Sequence, residues 1–513
     1  MNAPGGEAPL KGTALGIVSI ALALGTFMQV LDTTIANVSL TTIAGNLGVS
    51  SDSSTWIITA FAVANGVTVP LTGWLMGRYG VVRTFCVSVA LFTAASLLCG
   101  IAWSLSSLII FRVLQGAVSG PMIPGSQALL IAIFPPHKRA TALAIWSMTT
   151  LVAPVMGPVL GGYISDNYHW SWIFLINVPV GLIAGLVSWF FLKNRETPTR
   201  KLPIDIVGAM ILVFWVGVLQ VMLDLGKNAD WFNAPFIVVL AVLTVIGFVS
   251  WLIWELTDTH PIVDLSLFRR RNFTFGLIAL SLGYALFFAN GLILPLWLQQ
   301  QQGYTATWAG LVLAPSGVVA VVLTPILARV SRSVDARWMA TLSFMCFTLS
   351  YYMRADYTTG VDFRHLVLPI FVQGAGLAVF FMSMLSIMLD GIPPHQVPAA
   401  TGISNFVRIT AGSFAASLVT TIWDRREALH QTRLSEVSNS ASLPYGQAVD
   451  VLKGLGLTDV QAAAAIGRQL TQQAYLLAAN DIFIASAVLS LILTSTIWLT
   501  RRPAPLTGPV AAD

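Results

Sequence analysis

The sequence predicts an all-α polytopic membrane protein with 14 transmembrane helices arranged 6+2+6, and three observations carry that reading. First, 56% of the 513 residues are hydrophobic and only 10% charged, with a mean hydropathy of +0.78, which leaves too little polar surface to clothe a soluble globule. Second, apolar windows of about 20 residues, the length that crosses a hydrocarbon core about 30 Å thick, recur along the chain. Third, segments near the fourth and twelfth windows repeat one another in register. The 41 glycines and 25 prolines suit such a bundle, because small residues let helices approach closely and neighbours re-satisfy backbone groups that proline frees. Cys86, Cys99 and Cys346 all fall in apolar stretches and suggest no disulfide framework. The formal charge of +5 is modest and points to no nucleic-acid partner, and its placement says more.

In chain order, the windows lie near residues 14–36, 55–76, 84–102, 107–133, 141–164 and 172–192, then 204–225 and 234–254. Six more lie near 275–298, 306–328, 338–355, 364–389, 401–422 and 479–500. The first is longer than a cleaved signal and lacks its small-residue cleavage pattern, so it is expected to remain as a span. With the N-terminus inside, the cytoplasmic segments hold Lys11, Arg78, Arg83, Lys138, Arg139, Lys193, Arg195, Arg200, Lys201, Arg269, Arg270, Arg271, Arg329, Arg332, Arg337, Arg501 and Arg502. Short outer loops hold only Lys227, Arg354 and Arg364, so the positive-inside rule puts both termini in the cytoplasm. Residues 423–478 form the one long external connection. Within it, Gln447–Lys453 and Asp459–Leu477 read as amphipathic helices separated by the turn formers Gly454, Gly456 and Thr458. A small hairpin lying over the outer mouth is expected, or a docking surface for an external partner.

The repeat sets the organisation. Gln115-Gly116 is echoed by Gln373-Gly374, and Pro135-Pro136-His137 by Pro393-Pro394-His395, both at one offset. Equating the fourth and twelfth spans divides the chain into a six-span bundle at 1–192, two inserted spans at 193–260, and a second six-span bundle at 261–513 that includes the external segment. Many secondary transporters are built from repeated halves, with substrate handled at the midplane between them.

Two intramembrane charges stand out. Asp32 is a lone carboxylate in a stretch otherwise apolar from about Ala14 to Ile35, and Arg112 is a lone cation in another; charge at bilayer depth marks a functional site. At about 1.5 Å per residue, Asp32 lies about 27 Å from the cytoplasmic end and Arg112 roughly 8 Å below the outer edge. Both fall in the outer third, where opposite charges facing each other compensate burial. At the repeat offset Asp32 matches Asn290 and Arg112 matches Ile370, which predicts proton chemistry in the first half and a more neutral second half. Arg408, in the thirteenth span, is the exception, read either as snorkelling toward the inner face or as a binding or gating residue. Gln115, Trp146 and Asn290 are candidates for lining a cavity suited to lipophilic compounds, against the alternative of ordinary helix packing.

Over nearly its whole length the chain resembles the major facilitator superfamily, in its fourteen-span drug:proton antiporter branch, and most closely the EmrB-type multidrug exporters. The resemblance rests on L-D-T-T-I-A-N-V at Leu31–Val38, R-V-L-Q-G at Arg112–Gly116 and G-P-V-L-G-G at Gly157–Gly162. Two longer runs, Trp170–Gly181 and Pro261–Phe273, add to it. It implies the superfamily fold and assigns Asp32 and Arg112 to proton coupling. It assigns gating to Gly73, Arg78, Gly80 and Arg83, and to the bend and small surface made by Pro154, Gly157, Pro158, Gly161 and Gly162. Two departures stand in those motifs: Gly77 where an Asp is usual, and Ala153 where a Gly is usual.

The function implied is a proton-coupled antiporter that exports lipophilic drugs or toxic compounds across the bacterial inner membrane by alternating access. It needs no cofactor or metal, since the proton gradient drives it. Its implied partners are lipophilic small molecules, protons and membrane lipids, with a periplasmic adaptor and an outer-membrane channel completing a tripartite pump. An enzyme is not expected, because H-E-x-x-H, G-x-S-x-G and G-x-x-x-x-G-K-[ST] are all missing from the sequence. The alternatives are an exporter of a narrower substrate, such as a fatty acid, siderophore or metabolite, and a non-transporting membrane sensor.

Overall fold

The structure is a computed structural model that describes residues 10, 12–49, 54, 56–135, 138–199, 205–227, 229–258, 263–331, 334–393, 396–438 and 442–502. Side chains at 37–38, 41, 139–140, 151, 155, 158–159, 166 and 306 lie outside that description. Within it, all regular structure is helical. The first six predicted spans correspond to α1 (Gly12–Leu47), α2 (Trp56–Thr68) with α3 (Thr72–Tyr79), α4 (Val81–Gly100), α5 (Leu105–Ser119) with α6 (Met122–Ile133), α7 (Arg139–Asn167), and α8 (Trp172–Leu175) with α9 (Asn177–Leu192). α10 (Ile206–Gly226) and α11 (Pro235–Thr257) follow. The remaining helices are α12 (Arg271–Gln300), α13 (Ala306–Val330), α14 (Ala336–Arg354), α15 (Phe363–Met388), α16 (Val397–Val437), α17 (Leu443–Gly454) and α18 (Asp459–Trp498).

Two breaks have a local cause. α2 and α3 meet at 56° across Pro70, which has no N–H to continue the helical ladder, and α5 gives way to α6 at Gly120-Pro121 for the same reason. Among the described residues, 11 helices are long and apolar enough to cross a membrane, or up to 12 if the bent pair is one span. Of the predicted fourteen, α7 and α14 are helical but fall outside that set. In α7 several side chains lie outside the described residues, and the 19 residues of α14 include Arg337 and Arg354.

The same pairings recur in both sets of six. α1 packs along α7 as α12 packs along α16, α2 along α5 as α13 along α15, and α4 along α9 as α14 along α18. Lipid tails are as apolar as leucine, so such packing relies on close van der Waals fit between small residues. The repeated Gln-Gly pair shows how. A Cβ on Gly116 would lie 2.5 Å from the carbonyl oxygen of Phe61 in α2, and one on Gly374 would lie 2.6 Å from that of Ser316 in α13. Only glycine allows these crossings. The matching Pro-Pro-His loops lie largely outside the described residues, at 136–137 and 394–395. α10 and α11 pack on each other, with α10 also against α2 and α16. The two sixes meet where α7 touches α13 and α15, and where α16 touches α3 and α6.

Two expectations need correction. The segment 423–478 is not a separate hairpin laid over the mouth: α16 and α18 run through it as continuous helices of 41 and 40 residues. At about 1.5 Å per residue each is about 60 Å long, twice the hydrocarbon core, so both stand well out of the bundle. Residues 423–437 contain no Gly or Pro to stop α16. The arm is zipped by Trp423 Nε1 donating to the Tyr475 carbonyl at 3.0 Å, and by Asp481 accepting from Arg426 Nε at 2.8 Å and bonding His430 at 2.7 Å. α17 forms its tip, Gly456 turns the chain at φ +91°, and Thr458 caps α18 in a capping box with Gln461. Arg354, expected in an outer loop, is instead fully buried at the end of α14.

Candidate functional site

α1 and α5 bring Asp32 and Arg112 together as expected. Both are buried, and Arg112 Nη1 lies 2.5 Å from Asp32 Oδ2. Asp32 Oδ1 accepts from Gln115 Nε2 at 3.1 Å and from Asn177 Nδ2 at 2.9 Å. Both amides also donate to Ser96 Oγ, at 3.2 and 3.0 Å. The guanidinium is fixed in turn by Gln115 Oε1 at 2.7 Å, by the Ile57 carbonyl at 3.1 Å from Nε, and by the Phe61 ring, whose centroid is 4.3 Å from Cζ. All three partners of the carboxylate are N–H donors, so the arrangement suits an ionised acid. A proton on Oδ2 would contend with Arg112 for the same lone pairs.

The small residues of α7 act directly on this site. A Cβ on Gly157 would meet Thr34 Oγ1 at 2.0 Å, and one on Gly161 would lie 3.0 Å from the Ile35 carbonyl oxygen, so α1 and α7 cross one short step from Asp32. Gly162 faces open space, Pro154 is half-buried, and the side chain of Pro158 lies outside the described residues. Gly157→Ala is expected to cost about 1–3 kcal/mol by overpacking. Thr34→Gly in the same chain should recover more than half of the lost thermal stability; no recovery would mean that the crossing is not the cause.

Gly73 lies at the seam between the sixes, where an added Cβ would stand 3.0 Å from Ala399 Cα. Arg78 stacks near Trp74 and Tyr79, at 5.5 and 5.8 Å. Gly80 turns the chain at φ +91° into α4, whose first amides are held by Glu196: Oε1 accepts from Val82 N–H at 3.0 Å and Oε2 from Arg83 N–H at 2.9 Å. A carboxylate at a helix N-terminus is favourable there, and it comes from the segment after α9 rather than from position 77.

The proposed lining residues separate. Gln115 is a fully buried member of the Asp32 network. Asn290 is buried in the second six, donating to Ser486 Oγ at 2.9 Å. Trp146 and Arg408 do meet, at the seam. The Arg408 guanidinium is 4.5 Å from the Tyr284 centroid, 5.7 Å from Phe381 and 6.0 Å from Trp146. Arg408 is only 3% exposed, which rules out snorkelling. Its Nη2 donates to Asn405 Oδ1 at 2.8 Å, and Asn405 Nδ2 donates across the seam to Gln127 Oε1 at 3.0 Å.

Residues 22–416 match the family model described as Major Facilitator Superfamily. The chain belongs to the Major Facilitator Superfamily. Among its superfamily relatives, Multidrug export protein EmrB of Escherichia coli (strain K12) is 49% identical over 499 residues, 97% of each chain. Fatty acid resistance protein FarB of Neisseria gonorrhoeae is 46% identical over 495 residues, 96% of this chain and 98% of that one. This superfamily member is therefore of the EmrB type. The crystal structure of the human organic anion transporter MFSD10 (TETRAN) matches 95% of this chain and 100% of its own with TM-score 0.57 at 13% identity, a likeness of fold.

Three buried residues of this superfamily transporter escaped sequence reasoning. Asn177 carried a usable signal, a lone amide in an apolar run; Ser96, a small hydroxyl, carried none. Arg354 corrects the picture of a neutral second six. It donates to Gln373, the repeat partner of Gln115, and to Ser350 Oγ at 3.1 Å. Among the described residues its Nε and Nη1 have no hydrogen-bond partner, and no carboxylate lies within ion-pair distance.

Proposed function

We propose that this multi-pass membrane protein is a proton-coupled antiporter exporting lipophilic compounds across the bacterial inner membrane by alternating access, with both termini in the cytoplasm. The observation that carries the reading is the buried Asp32–Arg112 pair with its all-donor shell. A proton on Asp32 Oδ2 and the contact of that oxygen with Arg112 Nη1 compete for the same lone pairs. A movement that draws Arg112 away frees Asp32 Oδ2 to take a proton, and a movement that returns the guanidinium displaces it. Gly157 and Gly161 set the α1–α7 crossing through which such a movement reaches Asp32. The membrane potential supplies about 2.3 kcal/mol per charge per 100 mV, nearly fiftyfold in a gradient, so the cycle needs no nucleotide, metal or cofactor. The aromatic cage around Arg408, shared by both sixes, is the proposed substrate region.

The test uses everted vesicles with an imposed pH gradient and a panel of lipophilic compounds. Dissipation by wild type supports the reading; its absence with every compound, at verified expression, would favour a sensor. The 46% identity to a protein named for fatty acid resistance supports a narrower reading, so the panel includes a long-chain fatty acid. Dissipation by that compound alone would select it.

The arm of α16–α18 is proposed to engage a periplasmic adaptor that continues to an outer-membrane channel. Its tip supports this, since Leu443, Val451, Leu455 and Val460 are 65–79% exposed. Val451→Asp with Leu455→Asp should weaken adaptor capture while leaving vesicle transport intact. Unchanged capture would reject the assignment.

A further inference from the structure

The run Phe268–Asn272 takes no part in the coupling site, yet it builds the wall of a separate cavity. This cavity, about 280 Å³, is lined by Arg269, Arg270, Arg271, Asn272, Asp390 and Arg501. Three distant segments converge there: the start of α12, the turn after α15 and the end of α18. Arg270 Nη1 donates to the Gly391 carbonyl at 2.6 Å, and Arg271 Nε to the Leu499 carbonyl at 2.5 Å. Asn272 ties the other two segments, donating to Asp390 Oδ2 at 2.9 Å and accepting from the Arg501 N–H at 2.7 Å.

Four arginines and one aspartate thus line a concave space, and the guanidiniums of Arg270 and Arg271 are held there by backbone carbonyls. α12 also opens at this wall with no side-chain cap from Arg270, so its first-turn amides add partial positive charge. The flank is apolar: Phe268, Trp498 and Leu499 are 40%, 42% and 44% exposed. By the distribution of cations this is the cytoplasmic boundary of the bilayer, where aromatic rings sit at headgroup level and basic pockets between helices bind lipid headgroups.

We propose that the cavity holds the phosphate headgroup of an anionic phospholipid, its acyl chains lying along Phe268, Trp498 and Leu499. The planar donor fork of a guanidinium matches two oxygens of a phosphate, and the headgroup ties the first helix of the second six to its last. Free phosphate shares the headgroup chemistry but gains nothing from the apolar flank.

The test takes the full-length protein, delipidated in detergent, and measures binding of short-chain phosphatidylglycerol, short-chain phosphatidylcholine and inorganic phosphate by native mass spectrometry. Wild type should bind phosphatidylglycerol far more tightly than the other two. With about fivefold carried by each arginine near the headgroup, Arg270→Gln with Arg501→Gln should weaken phosphatidylglycerol about thirtyfold. Lys138→Gln, a charge outside the cavity lining, should leave it unchanged. Should the double variant fail to fold, Arg501→Gln alone must show the fivefold loss. Wild-type affinity in the arginine variants, equal loss in Lys138→Gln, or inorganic phosphate bound as tightly as phosphatidylglycerol would each overturn the proposal.

Discussion

Asp32→Asn is expected to abolish compound-driven dissipation of an imposed pH gradient in everted vesicles, down to the rate of vesicles lacking the protein, while expression stays close to wild type. The amide cannot ionise, so no proton can be taken up or released. It is nearly isosteric with the acid, and its oxygen can still accept from Gln115 or Asn177, which lie 3.1 and 2.9 Å from Asp32 Oδ1. Compound binding should survive, because the aromatic cage around Arg408 lies elsewhere, at the seam between the sixes. Active efflux at the wild-type rate in this variant would sink the coupling assignment.

Arg112→Leu should show the largest loss of stability of any single change at the site. It leaves the Asp32 carboxylate, fully buried, with two amides and no counter-charge. Breaking a buried pair by removing one member costs about 3–5 kcal/mol. Combining it with Asp32→Asn removes the stranded charge, so the double variant should regain most of the thermal stability and none of the transport. Thermal unfolding of the four proteins in detergent checks this. A double variant less stable than Arg112→Leu would show that the pair is not what the fold is compensating.

Much of the site was legible because charge at bilayer depth is so costly that it advertises itself. Asp32 and Arg112 could be named, and paired, from their depths alone. The cost falls at helix ends, and that is where reading failed: Arg354, three residues beyond Tyr351 at the edge of a short apolar window, looked like a loop residue and is a buried cation. Hydropathy reports where the membrane is, not where a helix stops, so α16 and α18 were cut at Trp423 and Ala478 although neither contains a break there. The repeat was legible at Gln-Gly pairs because backbone approach admits only glycine, whereas Ser96 is one hydroxyl among many. Glu196 was missed for a different reason. Its role depends on where the chain after α9 folds back, which no local pattern encodes.

The contact of Gly73 with Ala399 has a pharmacological consequence. Each atom added there opposes only the conformer in which this seam is shut, so bulk at position 73 acts on the ratio of conformers rather than on substrate or proton. About 1.4 kcal/mol of crowding changes that ratio tenfold. An inhibitor lodged between α3 and α16 at Gly73 and Ala399, apart from the Arg408 cage, would work the same way from outside the sequence. It would stall turnover without competing for the aromatic cage, and mutations that reshape the cage to evade competitive inhibitors would leave it effective. Gly73→Ala sets the scale of the effect: cross-linking yield between the two sixes at this end should fall, and an unchanged yield would mean the seam has room to spare.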